Sequence, residues 1–309
     1  MAKTAFLFSG QGSQYAGMAK EFYDNDPGAR LVFKIADDVL GYKLEDIVFT
    51  DDPTELNKTV HSQPAIMACS LCAFEVLDTH GVAFDAVAGH SLGEYAAMAA
   101  AGMLSYEDAF KLIKIRAEAM QKCAESSEGV MYAIIGPAPA EVEAACEKTE
   151  GYVVPVNYNS PVQTVIAGEA KAAEAAAELI KQTSTAKRVK AVKLNVASAF
   201  HSEIMRPAAE EFLARTEGFT FKEPKCGFYS NVTGGLLDFA NTDIREALAK
   251  HIVSPVRFTD ELAAMQAAGF ETFIECGPGK VLTGLVKKTL EGVQATNCEN
   301  LESLGAIVG

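Results

Sequence analysis

The sequence predicts an α/β protein of two domains, one interrupting the other, and three observations carry that reading. The first is a strand, sharp turn and helix at Val87-Ala88-Gly89-His90-Ser91-Leu92-Gly93-Glu94-Tyr95. The second is the segment 127–196, where strand and helix patterns follow in the order β-α-β-β-α-β, the split βαβ motif of a small self-contained domain. The third is composition: 309 residues, 49% apolar and 22% charged, are ordinary for a globular chain and enough for one large domain or two smaller ones. The large domain is then discontinuous, 1–126 and 197–309.

Ser91 is the centre of the first observation. The pattern Gly89-x-Ser91-x-Gly93 follows a small apolar strand and precedes an alanine-rich helix, as in a nucleophile elbow. Small neighbours suit a strained turn past which backbone runs closely. The turn also sets the hydroxyl at a helix N-terminus, where free N–H groups can hold an oxyanion. The same residues fit a glycine-bounded turn whose serine only caps the helix. The strand and helix on either side favour the nucleophile.

Charge and composition exclude several classes. A formal charge of −14 argues against nucleic-acid binding, which needs a basic footprint. No apolar run approaches the ~20 residues of a membrane span, and the apolar start Met1–Phe8 is too short for a secretory signal and reads as a first buried strand. Seven scattered cysteines read as reduced thiols of a cytoplasmic protein. Cys69-x-x-Cys72 lies in an apolar helical stretch with no second ligand pair, so it reads as core packing rather than a metal site.

In chain order, Gly10-Gln11-Gly12-Ser13-Gln14 follows the first strand. It lacks the third glycine of a dinucleotide loop and the Lys-Ser/Thr of a phosphate loop, leaving a flexible turn or close backbone approach to a ligand. Helices are expected over 28–40, from Asp51-Asp52-Pro53, and over Ala65–Leu77 after a polar turn His61-Ser62-Gln63-Pro64. Ser105 to Asp108 resembles a capping box opening a helix to about Cys123. Arg116 falls on its apolar stripe of Ala109, Leu112, Ile113, Met120 and Cys123, as an internal ion pair, a snorkelling stem or a fork for a ligand carboxylate. Residues 124–128 read as a linker.

The inserted segment begins with a strand at Val130–Ile135 and a helix at Pro139–Lys148. Strands Tyr152–Tyr158 and Gln163–Ala167 follow, joined by a turn Asn159-Ser160-Pro161-Val162, then a helix Ala170–Gln182 and a strand Arg188–Val196. The basic run Lys187, Arg188, Lys190, Lys193 suits an exposed edge strand, or contact with an acidic partner. His201, between a strand and the helix Pro207–Arg215, competes with His61, His80 and His251 for any catalytic role. Later elements are a strand near Gly227–Asn231, helices Asp243–His251 and Asp260–Ala268, a strand Glu271–Cys276 and a helix Val281–Leu290. From Glu291 no pattern stands out.

Taken together, Gly10–Gln14, Gly89–Glu94, Arg116, Asn157–Pro161, Phe200-His201-Ser202 and Glu275–Lys280 resemble the malonyl-CoA:acyl carrier protein transacylases and, more distantly, polyketide acyltransferase domains. The resemblance spans nearly the whole chain. It implies a hydrolase-like α/β large domain with a mostly parallel sheet, carrying an inserted ferredoxin-like small domain. It implies ping-pong transfer of malonyl from malonyl-CoA to the phosphopantetheine thiol of holo-acyl carrier protein, supplying extender units for fatty-acid synthesis. A polyketide acyltransferase, or a serine esterase using the same elbow, are the alternatives. Ser91 would be the nucleophile, His201 its base, and the N–H groups of Gln11 and Leu92 the oxyanion hole. Arg116 would clamp the malonyl carboxylate, with Gln63, Phe200, His251 and Asn159 as further substrate-side residues. Phe200 would border the acyl pocket and select malonyl over methylmalonyl. No bound cofactor or metal is implied. The partner would be an acidic carrier protein docking transiently on basic surface that includes Lys187, Arg188 and Lys190, the enzyme acting as a monomer away from membranes and nucleic acid. One position departs from the pattern: many relatives carry glutamine at His251, whose backbone carbonyl orients the base.

Overall fold

The computed structural model describes residues 2–309. Ten strands form two sheets: β1 (Lys3–Phe8), β2 (Ala86–Gly89), β3 (Val130–Ile135), β4 (Val153–Ser160), β5 (Gln163–Gly168), β6 (Lys190–Lys193), β7 (Gly227–Ser230), β8 (Gly235–Leu236), β9 (Phe270–Cys276) and β10 (Gln294–Cys298). The larger sheet has the order β10-β9-β1-β2-β7-β8, and all its pairings are parallel except β7 with β8. Its central strand β1 buries Ala5 to Phe8 completely, and Phe6 stacks on Phe84 at 4.6 Å between centroids. Full burial on both faces explains why β1 and β2 read as unbroken apolar runs rather than alternating ones.

The second sheet, β4-β5-β3-β6, is antiparallel and is built wholly from the interrupting segment. Helices Pro139–Lys148 and Ala170–Thr183 pack on one of its faces through Ile134, Val142, Ile166 and Ile180. This sheet is tied to the larger unit at β4: Val256 donates to the Val156 carbonyl at 2.8 Å and accepts from Tyr158 at 2.9 Å. That seam brings β4 beside the end of β2, where Ser91 emerges.

Several local expectations are corrected. His61–Pro64 is not a turn: one helix runs Thr59–Thr79 with Pro64 inside it. Pro64 removes only one helical bond, one turn from the N-terminus, and the apolar environment from Ser62 to Leu77 outweighs the loss. That helix is also long and apolar enough to cross a membrane by length and composition, yet 83% of its most apolar window is buried, as in a core helix. Asp51–Glu55 forms turns rather than a helix, because the Asp52 carboxylate takes the Thr54 N–H at 2.9 Å and competes with helical bonding. The supposed linker 124–128 is mostly helical: the helix Tyr106–Ser126 continues until Ser126 and Ser127 hydroxyls cap the Cys123 carbonyl. β4 extends through Asn159 and Ser160, so the turn is only Pro161-Val162. β6 covers only Lys190–Lys193, because the chain then leaves the sheet to return to the larger unit; it is an edge strand. The final stretch, without pattern in the sequence, forms β10 and the helix Leu301–Val308, capped by Asn300.

Candidate active site

The elbow forms because nothing larger than glycine fits its two flanking positions. A Cβ on Gly89 would lie 2.1 Å from the Gly93 carbonyl carbon, and one on Gly93 would lie 2.1 Å from the Phe8 oxygen. Ser91 sits at the apex with φ 54°, a left-handed conformation costly for a side-chain-bearing residue. His201 has φ 61°, so two of the three described non-glycine residues with positive φ are the expected dyad. Strain of this kind persists where the surroundings over-determine it, which occurs most often at functional sites.

The two meet across the sheet end: Ser91 Oγ lies 2.7 Å from His201 Nε2. The other ring nitrogen, Nδ1, is 2.9 Å from the His251 carbonyl, which can only accept. Nδ1 therefore carries the hydrogen and Nε2 offers its lone pair to the Ser91 hydroxyl. Burial, with His251 and Arg116 nearby, holds the His201 imidazole well below the ordinary histidine range, so it stands neutral and ready to accept a proton.

Arg116 is 1% exposed and pairs with no carboxylate among the described residues, so the internal ion-pair reading is overturned. Its NH1 donates to Gln63 Oε1 at 2.8 Å and its NH2 to Ser91 Oγ at 3.0 Å, while the guanidinium lies over the Tyr95 ring. Burial lowers its pKa, but a guanidinium remains charged. A buried cation with no directly paired carboxylate is an expensive arrangement that an anionic ligand would relieve.

A cleft of about 760 Å³ opens over these groups, lined by Gln11, Ser91, Asn159, Phe200 and His201 among others. The first glycine loop borders it because Gly10 packs against His90, where a Cβ would meet the His90 oxygen at 2.6 Å. Neither the Gln11 nor the Leu92 N–H has an acceptor among the described residues. The Ser91 N–H, in contrast, is already bound to Asn231 Oδ1 at 2.7 Å. Asn159 Oδ1 accepts from His90 Nε2 at 2.8 Å, and the residue reaches the cleft from β4. Gln63 is fully buried and meets the site through Arg116. Phe200 is 5% exposed at the cleft wall. The His251 side chain lies away from the cleft, 3.0 Å from Glu94 Oε2, so only its carbonyl faces His201.

Sequence reasoning missed Asn231, Glu94 and His90 as site residues. The one available signal was Glu94, a carboxylate in an otherwise apolar, alanine-rich helix. Cys69 and Cys72 pack in the core, where burial raises both thiols far above their ordinary pKa.

The family model described as acyl transferase domain matches residues 5–307. The chain belongs to this family. It is 41% identical over 308 residues to the malonyl CoA-acyl carrier protein transacylase of Bacillus subtilis (strain 168), covering 98% of this chain and 96% of that one. The crystal structure of the malonyl CoA-acyl carrier protein transacylase from Clostridium perfringens superposes with a TM-score of 0.94 at 38% identity, over 99% of this chain and 96% of the other. Another similar structure is a malonyl-transacylase in complex with a type II polyketide acyl carrier protein, with a TM-score of 0.93, 36% identity and 99% coverage of both chains. The mixed α/β architecture with its mostly parallel sheet is thus that of the family.

Proposed function

We propose that the chain is an acyltransferase that moves malonyl from malonyl-CoA to the phosphopantetheine thiol of holo-acyl carrier protein, supplying extender units for fatty-acid synthesis. The observation that carries the reading is Arg116: a buried guanidinium with no carboxylate partner, 3.0 Å from the Ser91 hydroxyl. A neutral ester would leave that guanidinium without a carboxylate; a malonyl carboxylate would take the N–H groups that NH1 and NH2 do not spend on Gln63 and Ser91.

In this reading His201 Nε2 takes the Ser91 proton as Oγ attacks the thioester carbonyl. The Gln11 and Leu92 N–H groups receive the developing oxyanion, since both lack another acceptor among the described residues, Gln11 lines the cleft and Leu92 follows Ser91 at the helix start. The tetrahedral intermediate collapses, the CoA thiolate takes the proton from His201, and malonyl-Ser91 remains. The carrier thiol then gives its proton to His201, attacks the same carbonyl and restores the Ser91 hydroxyl. Every step uses side chains and backbone of this chain, with no bound cofactor or metal. Phe200 at the cleft wall suits selection of malonyl over its methylated analogue. Gln63 holds the Arg116 fork, and Asn159, through His90, shapes the wall from β4.

The interrupting segment 127–196 reads as a ferredoxin-like domain: its sheet order β4-β5-β3-β6 and two helices on one face fit that form. The exposed Lys187, Arg188 and Lys190 beside the edge strand offer a positive rim to an acidic carrier protein. We infer a cytoplasmic monomer that meets its carrier transiently. Incubation with malonyl-CoA, an intact mass, and then addition of holo carrier protein test the reading. A malonyl adduct discharged by the carrier and slowly by water is expected; rapid discharge by water would make it a hydrolase.

A further inference from the structure

Several buried groups around the dyad take no part in the transfer chemistry, yet they form one closed circuit. Asn231, on the loop after β7, is fully buried. Its Oδ1 accepts the Ser91 N–H at 2.7 Å, and its Nδ2 donates to the Gly89 carbonyl at 2.7 Å and to Glu261 Oε1 at 2.5 Å. Its own N–H donates to Glu94 Oε1 at 2.6 Å. The other Glu94 oxygen lies 3.0 Å from His251 Nδ1, with both side chains buried, in an electrostatic contact off the axis of a hydrogen bond. From His251 the path returns through its carbonyl to His201 Nδ1, and through His201 Nε2 to Ser91 Oγ.

The His251 carbonyl needs such support. It lies near the C-terminal end of the helix Ile244–Val253, where carbonyls lose their helical partners. Among the described residues its one backbone donor is the Ser254 N–H, at a long 3.4 Å. The helix ladder therefore does not fix its direction, and the anchored side chain of the same residue can. At the other end, the clamp on the Ser91 N–H and Gly89 oxygen holds the elbow in its strained conformation and reserves the Leu92 N–H for the cleft.

We propose that Asn231, Glu94 and the His251 side chain are positioning residues that hold the two halves of the dyad in register, Asn231 gripping the nucleophile by its backbone and the Glu94–His251 pair aiming the carbonyl that selects the His201 tautomer. This rests on the reading of Ser91 and His201 as nucleophile and base. The titratable or charged groups around His201 are Arg116 on the helix Tyr106–Ser126, His90 before the elbow, and His251, with Glu94 and Glu261 behind it. Burial and the neighbouring Glu94 hold the Glu261 carboxyl well above the usual range.

The test compares wild type, Glu94→Gln, His251→Gln and His251→Ala in malonyl transfer, alongside the rate at which a fluorophosphonate probe labels Ser91. Glu94→Gln keeps an acceptor for Asn231 but loses the charge facing His251. We expect kcat to fall by up to about 100-fold, the scale of a small misplacement of catalytic groups, with KM for malonyl-CoA unchanged and probe labelling slowed in parallel. His251→Gln, whose amide can reach Glu94, keeps most of the rate; losing an imidazole that depresses His201 moves the acid limb of its kcat/KM profile to higher pH. His251→Ala retains the carbonyl but not its anchor, and should fall as Glu94→Gln does. If Glu94→Gln fails to fold, His251→Ala decides. Folded variants with kcat and labelling within about twofold of wild type, or a change in KM alone, overturn the proposal. A wild type that labels with the probe but takes no malonyl refutes the malonyl reading instead, and the labelling rates still decide the circuit.

Discussion

Replacing Arg116 with alanine should invert the acyl preference of the site. The side chain is 1% exposed, touches Ser91 Oγ at 3.0 Å and Gln63 at 2.8 Å, and has no acidic partner. A bound malonyl carboxylate would lose a desolvated charge-assisted pair and be left buried without one, which costs about 2–5 kcal/mol. On the transition-state scale that is roughly 30-fold to several thousand-fold in kcat/KM. An acetyl group has no carboxylate to strand, so acetyl transfer loses only the guanidinium contact to Ser91. The malonyl-to-acetyl ratio should therefore fall by at least about 10-fold. The measurement is competitive loading of Ser91 from an equimolar mixture of malonyl-CoA and acetyl-CoA, read by intact mass at short times. Arg116→Lys is a useful companion: it keeps the charge but not the fork, and should recover only part of the preference. Equal loss for both acyl groups, in a variant that still melts cooperatively, would mean that Arg116 supports the elbow rather than the substrate.

Ser91→Ala should take no malonyl while remaining folded, and Ser91→Gly, which relieves the positive φ of 54°, should be more stable than Ser91→Ala by about 1 kcal/mol in denaturant unfolding; malonylation of the alanine variant at the normal rate would misplace the nucleophile. Phe200→Ser should relax discrimination between malonyl-CoA and methylmalonyl-CoA, since one methyl group against the ring is worth only ~1–3 kcal/mol, a ceiling of about 10- to 200-fold; an unchanged loading ratio would clear Phe200 of that role. Activity should hold as pH falls through the ordinary histidine value of about 6.5, because the base must be neutral and burial keeps His201 neutral to lower pH; an acid limb at or above that value would contradict the burial. The same depressed pKa carries a stability cost with a definite sign: below about 6.5 the unfolded chain binds the proton and the folded one does not, so stability falls with pH until the folded pKa is reached.

The strand–elbow–helix was legible because its requirements are local. Gly89 and Gly93 are demanded by backbone atoms of their immediate surroundings, and the pattern of small residues records that demand directly. The strands of the four-stranded sheet were legible for a similar reason, since each pairs with a neighbour within the same segment. Periodicity also put Arg116 on the buried stripe of its helix. It could not say whether a carboxylate would meet it there, because the groups it touches come from Gln63 and Ser91, on two other elements. Pro64 misled for the opposite reason: a local breaker signal was overridden by a helix buried along most of its length.

Tertiary electrostatics left the weakest trace in the sequence. Asn231 reads as an ordinary residue of a polar turn before Thr233-Gly234, yet its side chain bonds the elbow and Glu261 while its own N–H donates to Glu94. Glu94 stands out as a carboxylate in an apolar, alanine-rich helix, yet nothing nearby in the sequence names the groups that meet it. A buried carboxylate is tolerable only where donors and countercharges converge from distant parts of the chain, and no spacing rule records that convergence. The histidine at position 251 makes the point sharply. On the catalytic side it is silent, because a carbonyl is common to all residues and the His251 oxygen still meets His201 Nδ1 at 2.9 Å. On the buried side it places an imidazole ring 3.0 Å from Glu94 and against the His201 ring. A substitution that leaves the chemistry's own atoms untouched can therefore still set the pH range of the chemistry, through a group that never meets the substrate.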